Sequence, residues 1–481
     1  MNNRVKEIIK NIIYIVTANG IGMIISALIT LIVPKFLGVK EYGYWQLYTL
    51  YISYVGFFAF GWCDGIYLRF GGYKYEELEK ETFVSQFWLL TIFQVFLSLL
   101  LFIAAMFLIK DSNKQYVAYM TILCGFVTIV KSFILLILQA TNRIREFAKY
   151  TRLNQYIYIV ITMAALFLGI RSFEILLIID IISKFIVLIL CFKCCKEVIW
   201  GTFAPLVCAM DEVKRNINAG IKLMLANIAS SLIIGIIRIG IERKWDISVF
   251  GKLSLTLSIS NLLVSFINAI GIVMYPILRR MPRDKLPSMY TALRTVLMSV
   301  LLLVLASYYP LKVIMSMWLP NYADSLIYMA ILFPMCIYES HMALLINTYL
   351  KTLRKEAVML YINVLSVVAS IILTSAIILL FNNLNLLVFL IVALIAFRCI
   401  IAELYISKII GISVGKDMVI ESVMSIAFIT LAWFSSSAIG FTIYLIFYVI
   451  YILIKKKDII EKLSTIKTAI WREQKEVSSL I

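Results

Sequence analysis

Residues 34–48 read P-K-F-L-G-V-K-E-Y-G-Y-W-Q-L-Y, and residues 61–72 read G-W-C-D-G-I-Y-L-R-F-G-G, with an apolar and aromatic run between them. The stretch holds the turn between two apolar runs that are each long enough to cross a bilayer. It sets one acid, Asp64, and one base, Arg69, inside the second run or at its end. Its front half recurs. Ala18-Asn19 reappears as Ala226-Asn227, and Val39-x-x-Tyr42-Gly43-x-x-x-Leu47 lines up with Ile247-x-x-Phe250-Gly251-x-x-x-Leu255 without a gap. Further on, Tyr119-Met120-x-Ile122-Leu123 matches Tyr328-Met329-x-Ile331-Leu332, and the same spacing carries Arg145 onto Arg354 and Asn154 onto Asn363. Apolar identities are cheap in such a chain. The glycine, asparagine and arginine matches in one order point to an internal duplication, an arrangement that builds transporters.

Composition names the solvent. The chain has 481 residues, 62% of them hydrophobic and 15% charged, with a mean hydropathy of +0.96. Soluble domains carry roughly 25% charged residues, so lipid must cover most of this surface. Fourteen apolar runs stand near 11–36, 45–69, 83–109, 116–139, 153–170, 173–192, 217–241, 250–276, 290–311, 325–350, 357–380, 385–407, 418–437 and 439–454. The expected fold is all-α and polytopic, with about 14 transmembrane helices: two six-helix lobes related by a pseudo-twofold axis along the membrane normal, plus two C-terminal helices. The lobes are 1–195 and 217–410, joined by a cytoplasmic linker at 196–216; residues 411–454 hold the added pair and 455–481 a basic tail. With the N-terminus in the cytoplasm, 30 of the 45 Lys and Arg residues fall in cytoplasmic segments and 8 in outer ones. Both termini are therefore expected inside.

The net charge of +18 does not mark a nucleic-acid binder, because the basic residues sit in short loops of alternate parity. Cys191, Cys194 and Cys195 form C-F-K-C-C at a span end, but no second pair and no nearby His completes a metal site. There is no phosphate-binding G-x-x-x-x-G-K-[S/T] motif and no catalytic constellation. The expectation is a non-enzyme with no metal and no cofactor, with an H+ or Na+ gradient as the candidate energy source. In the tail, Ile459, Leu463, Ile466 and Ile470 share one helical face, which suits either an amphipathic helix on an anionic leaflet or a solvated charged tail.

Ionisable groups inside spans are expensive and usually face a bundle interior or a wet cavity. The candidates are Asp64, Arg69, Lys131, Asp180, Lys184, Arg238, Arg398 and Glu403. Asp180 and Lys184 are spaced to pair on one helix. Arg398 and Glu403 point apart on theirs and must find partners elsewhere. Arg238 has either a buried binding role or an ion pair with Glu242. Glu339 and His341, the latter the single histidine of the chain, are a candidate proton relay or a neutral interhelical pair. Tyr44, Tyr48, Tyr51, Phe58 and Trp62 form an aromatic stripe suited to helix packing or to sugar rings.

The motifs P-K-F-L-G-V-K-E-Y-G-Y-W-Q-L-Y and G-F-F-A-F-G-W-C-D-G-I-Y-L-R-F-G-G resemble the polysaccharide flippases of the multidrug/oligosaccharidyl-lipid/polysaccharide exporter superfamily. I-L-Q-A-T-N-R-I-R-E-F-A-K-Y at 137–150 and W-L-P-N-Y-A-D-S-L-I-Y at 318–328 are also similar to that family's loop after span 4 and its entry to span 10. The resemblance implies movement of undecaprenyl-diphosphate-linked oligosaccharide across the bacterial cytoplasmic membrane by alternating access, for O-antigen, capsule or other exopolysaccharide synthesis. It implies a cationic cavity in which Arg69 and Arg238 meet the diphosphate; Asp64 and Lys131 are further candidate cavity residues by their place inside spans. Membrane lipids, a polysaccharide polymerase and glycosyltransferases are the expected company. Two other readings stay open: a multidrug exporter of the same superfamily, and a non-transporting scaffold of a polymer-synthesis complex.

Overall fold

The computed structural model describes the backbone of residues 20, 22–280 and 283–479, and their side chains except at 266–280, 283, 356 and 464–479. The described residues fall into two compact units. One runs to Ser231 and adds Ile247–Gly251; the other takes Leu232–Asp246 and continues from Lys252.

The first unit opens with α1 (Gly22–Phe36) and α2 (Val39–Ile52). The apolar run at 45–69, expected as one span, is broken. After α2 comes a 3-10 turn, Val55–Ala59, then Phe60 and Gly61 at φ 50° and 77°, then the short helix α3 (Trp62–Arg69). A left-handed pair cannot continue a right-handed helix, and hydropathy does not register it. Next are α4 (Lys80–Leu108), α5 (Ser112–Ala140), α6 (Ile144–Phe167) and α7 (Phe173–Cys194). The Asp111 carboxylate caps α5 by accepting from the Lys114 amide at 2.9 Å. On α4, Ile92, Phe96, Leu99 and Phe107 stand exposed as a lipid-facing stripe. Three members of the aromatic stripe, Tyr44, Tyr48 and Trp62, are buried, and the Tyr44 ring lies 4.9 Å from that of Phe173; Tyr51 and Phe58 are half-buried.

Two long helices follow, α8 (Leu206–Lys244) and α9 (Ile247–Arg280). Residues 206–216, read as linker, are the first turns of α8. Within the first unit, α2 meets the start of α9 backbone to backbone. A Cβ on Gly43 would lie 2.4 Å from the Ile247 carbonyl oxygen, and one on Gly251 would lie 2.8 Å from the Gly43 Cα and 3.1 Å from the Val39 oxygen. Small residues permit this approach where lipid gives helices no hydrophobic drive to associate.

The second unit contains α10 (Leu286–Ala306), α11 (Tyr308–Trp318), α12 (Leu326–Leu332), α13 (Met335–His341) and α14 (Asn347–Thr352). Then come α15 (Glu356–Ala376), α16 (Leu384–Ile410), α17 (Gly415–Phe434) and α18 (Ser437–Ser479). The run at 325–350 is not one straight helix: Pro320–Leu332 and Met335–Thr352 meet at 45°. Pro334 stands at the break, where it supplies no amide to the ladder. A π-turn at Met342–Ile346 adds a second irregularity. α16 is capped at both ends, by the Asn383 side chain and by Gly411 at φ 68°. The tail expected as a separate element from residue 455 continues the last span without a break.

Among the described residues, ten helices are long and apolar enough to cross a membrane, eleven if the bent pair counts as one. The protein is a multi-pass, all-α membrane protein. α1 is shorter than the others, and its expected beginning at 11–19 lies outside the described residues.

Candidate functional site

The G-W-C-D-G stretch is shaped by its contact with α8. A Cβ on Gly65 would fall 1.8 Å from the Asn216 oxygen, and one on Gly220 would fall 2.0 Å from the Gly61 oxygen. Both glycines are therefore needed for the two backbones to touch. The crossing brings side chains from distant parts of the sequence together. Asn216 donates to Gln86 Oε1 at 2.7 Å and accepts from Arg69 Nη1 at 2.6 Å. Trp62 Nε1 also donates to Gln86 Oε1, at 3.3 Å. Arg69 closes the set with an ion pair to Glu212 at 2.9 Å, its side chain 27% exposed. Its guanidinium also lies 5.4 Å from the centre of the Phe70 ring.

Asp64 sits half-buried in the first turn of α3 and has no ion-pair partner among the described residues. Beside this crossing lies an apolar cavity of about 570 Å³, lined by Trp62, Leu89, Phe93, Met210 and Ile217 among others.

Lys131 is 8% exposed on α5 and donates to Asn154 Oδ1 at 3.1 Å. Nearby, Asp180 and Lys184 make the expected pair at 2.6 Å. Tyr48 donates its hydroxyl to the same Asp180 oxygen at 2.7 Å. This group holds α2, α5, α6 and α7 together.

In the second unit, Arg238 donates from Nη2 to Ser254 Oγ at 3.0 Å. The residues at 339–403 sort differently from their sequence spacing. Glu339 does not face His341; it accepts from Arg398 Nη2 at 2.7 Å through both oxygens. His341 lies against Glu403 instead, with Nε2 3.4 Å from Oε1. Glu403 in turn accepts from Arg294 Nε at 2.6 Å and from the Tyr290 hydroxyl at 3.2 Å. The other side of the Arg294 fork is filled by Glu421, at 2.7 Å to each oxygen. Asp417 pairs with Lys455 at 2.6 Å and stands 3.7 Å from Arg294.

Arg294 and Glu421 were not among the candidates taken from the sequence. Arg294 stands alone among uncharged residues in M-Y-T-A-L-R-T-V-L-M, and Glu421 lies one turn into the apolar run that follows Lys416-Asp417. A charge inside an apolar run is the signal that would have found them. Among the described residues, no three His, Cys, Asp or Glu side chains are grouped to hold a metal ion.

Residues 8–282 match the model of the family described as polysaccharide biosynthesis protein. The chain belongs to that family. No curated protein matches this member. Among solved structures, it is similar to "Lipid II flippase MurJ, inward closed conformation", with a TM-score of 0.63 and 14% identity over 92% of this chain and 100% of that one. An inward-facing multidrug resistance MATE family transporter of the MOP superfamily gives a TM-score of 0.61 at 11% identity, over 82% and 94%. A MOP superfamily transporter from Pyrococcus furiosus gives 0.51 at 13% identity, over 84% and 96%. At these identities the likeness carries the fold: this family member has the fold of MOP superfamily transporters.

Proposed function

We propose that this protein moves lipid-diphosphate-linked oligosaccharide units across the cytoplasmic membrane of a bacterium by alternating access. One observation carries the reading: a polysaccharide biosynthesis family member has, along 92% of its length, the fold of a lipid II flippase. The family's description concerns polysaccharide synthesis and the solved structure's name a lipid flippase, and a glycan on a lipid carrier with a diphosphate head would join the two. The fourteen-span plan belongs to this proposal, with both termini cytoplasmic, lobes at 1–195 and 217–410 and a C-terminal hairpin.

In this reading Arg69 and Arg238 receive the diphosphate at successive stages, Arg69 near the cytoplasmic entry and Arg238 nearer the outer exit. A guanidinium offers a planar fork that matches phosphate oxygens. Arg69 is a quarter exposed and held by one carboxylate and one amide, so phosphate would displace Glu212. The apolar cavity beside α3 offers space for part of the lipid carrier.

The test is reconstitution. Proteoliposomes loaded with a fluorescent polyprenyl-diphosphate oligosaccharide should transfer it between leaflets, and a multidrug cation should not cross. Transfer no faster than in protein-free vesicles would overturn the proposal.

A further inference from the structure

The cluster around Arg294 is the most deeply buried ionic group among the described residues, and the site above makes no use of it. Arg294 and Glu403 are each 2% exposed and Glu421 is 5% exposed. Two nearby pairs each balance one charge with one: Arg398 with Glu339, and Lys455 with Asp417, which also touch Arg294 at 3.7 Å and the exposed Asp458 at 3.2 Å. What remains is one guanidinium between two carboxylates. That leaves one uncompensated negative charge where water is excluded, an arrangement that strongly favours uptake of a compensating cation.

A second observation says where that cation goes. His341 is 1% exposed, and its Nε2 makes no hydrogen bond among the described residues. The same atom lies 3.4 Å from Glu403 Oε1. On the other side of the ring, Nδ1 stands 3.5 Å from Cys399 Sγ. The contacts admit both neutral tautomers, one with a lone pair towards the carboxylate and one with an N–H; the imidazolium presents an N–H to Glu403 in either case. Adding one proton to the ring makes the contact with Glu403 a charge-assisted hydrogen bond.

We propose that His341 and Glu403 form a proton-binding site that takes up and releases one proton per molecule. Every helix packed on the site contributes to its field. α10 brings Arg294 and Tyr290; α16 brings Arg398 and Cys399 besides Glu403; α13 brings Glu339 with His341. α17 adds Glu421 and Asp417, and α18 adds Lys455 and Tyr451. The site ties the C-terminal hairpin to the body of the second unit, so its charge state bears on how firmly the hairpin is held. The inference does not depend on the substrate named above.

The chain has a single histidine, which makes the test direct. Full-length protein with a histidine-free affinity tag and 15N-labelled histidine, in lipid nanodiscs without substrate, yields one imidazole signal. That signal should change charge state between about pH 5 and 8. Glu403→Gln should lower its midpoint by about one pH unit or more, since the imidazolium loses its counter-charge. Tyr290→Phe keeps the shape and removes a donor from Glu403, so it should raise the midpoint; this variant stands if Glu403→Gln folds poorly. An imidazole neutral across the whole range, or a midpoint unmoved by Tyr290→Phe, would overturn the proposal. Neither result touches the transport assay.

Discussion

Gly43 and Gly251 touch, and each reaches for the other's counterpart. The virtual Cβ of Gly43 meets the Ile247 oxygen, while that of Gly251 meets the Val39 oxygen. Val39 and Ile247 are themselves matched in the repeat, as Gly43 and Gly251 are. A reciprocal contact in which a segment meets its own repeat is what a local twofold relation requires. It supports the duplication read from the sequence with an argument independent of residue identity.

That contact should tolerate no side chain. Gly43→Val is expected to destabilise the protein by roughly 1–3 kcal/mol, because a backbone oxygen cannot be moved as a side-chain tip can. Gly251→Val should behave alike. Thermal unfolding in detergent reads this, and Gly38→Ala is the control, since a Cβ there meets nothing within 4 Å. Equal melting for Gly43→Val and the control would refute the packing argument.

Arg69 and Glu212 separate binding from structure. If their ion pair is only structural, Glu212→Gln and Arg69→Ala should do similar damage, and both should lower protein level. The proposed phosphate role gives a different result: Arg69→Ala abolishes surface polymer at normal protein level, and Glu212→Gln is mild. Arg69→Lys should rescue only in part, for lack of the planar fork. Each lost charged hydrogen bond should weaken binding by about 1.5–3 kcal/mol. Arg238→Ala should resemble Arg69→Ala, and wild-type export by the double mutant would end the phosphate reading.

Arg294→Met should be severe. It strands Glu403 and Glu421 in a dry interior, which costs on the order of 3–5 kcal/mol, and membrane protein level should fall. Adding Glu403→Gln and Glu421→Gln to the same chain should recover part of that loss. Protein level in membranes, measured for the single and triple variants, checks the pair of outcomes; no recovery would mean that packing, not charge, sets the cost.

Orientation is testable apart from chemistry. Reporter fusions after Lys40, Ser112 and Asn383 should read as external, and fusions after Lys74, Arg145 and Lys285 as cytoplasmic, following the charge asymmetry of the loops. Two reversed signals would require a different arrangement of spans.

Most of the membrane architecture was legible from apolar runs, because length and hydropathy are local properties. The same holds for the Asp180–Lys184 pair, which one turn of helix dictates. The breaks were not legible. The run at 45–69 is apolar throughout, yet Phe60 and Gly61 adopt left-handed conformations, and no window average registers dihedral angles. Pairing across helices was half legible. Arg398 and Glu403 could be seen to need separate partners, but Glu339 and Arg294 were chosen by packing between helices far apart in the chain. His341 and Glu339 are two residues apart, and two residues apart on a helix is opposite, not adjacent.

The last helix runs unbroken through 43 residues. At 1.5 Å per residue that is roughly 65 Å, about twice the thickness of a bilayer's hydrocarbon. Lys455 and Asp417 fasten it to α17 near the point where apolar sequence gives way to charged. The remainder then acts as a lever arm whose fulcrum is that clasp. A tilt of about ten degrees would swing the far end of that roughly 36 Å arm by about 6 Å, so a small repacking of buried charge inside the membrane becomes a displacement large enough for another molecule to feel outside it.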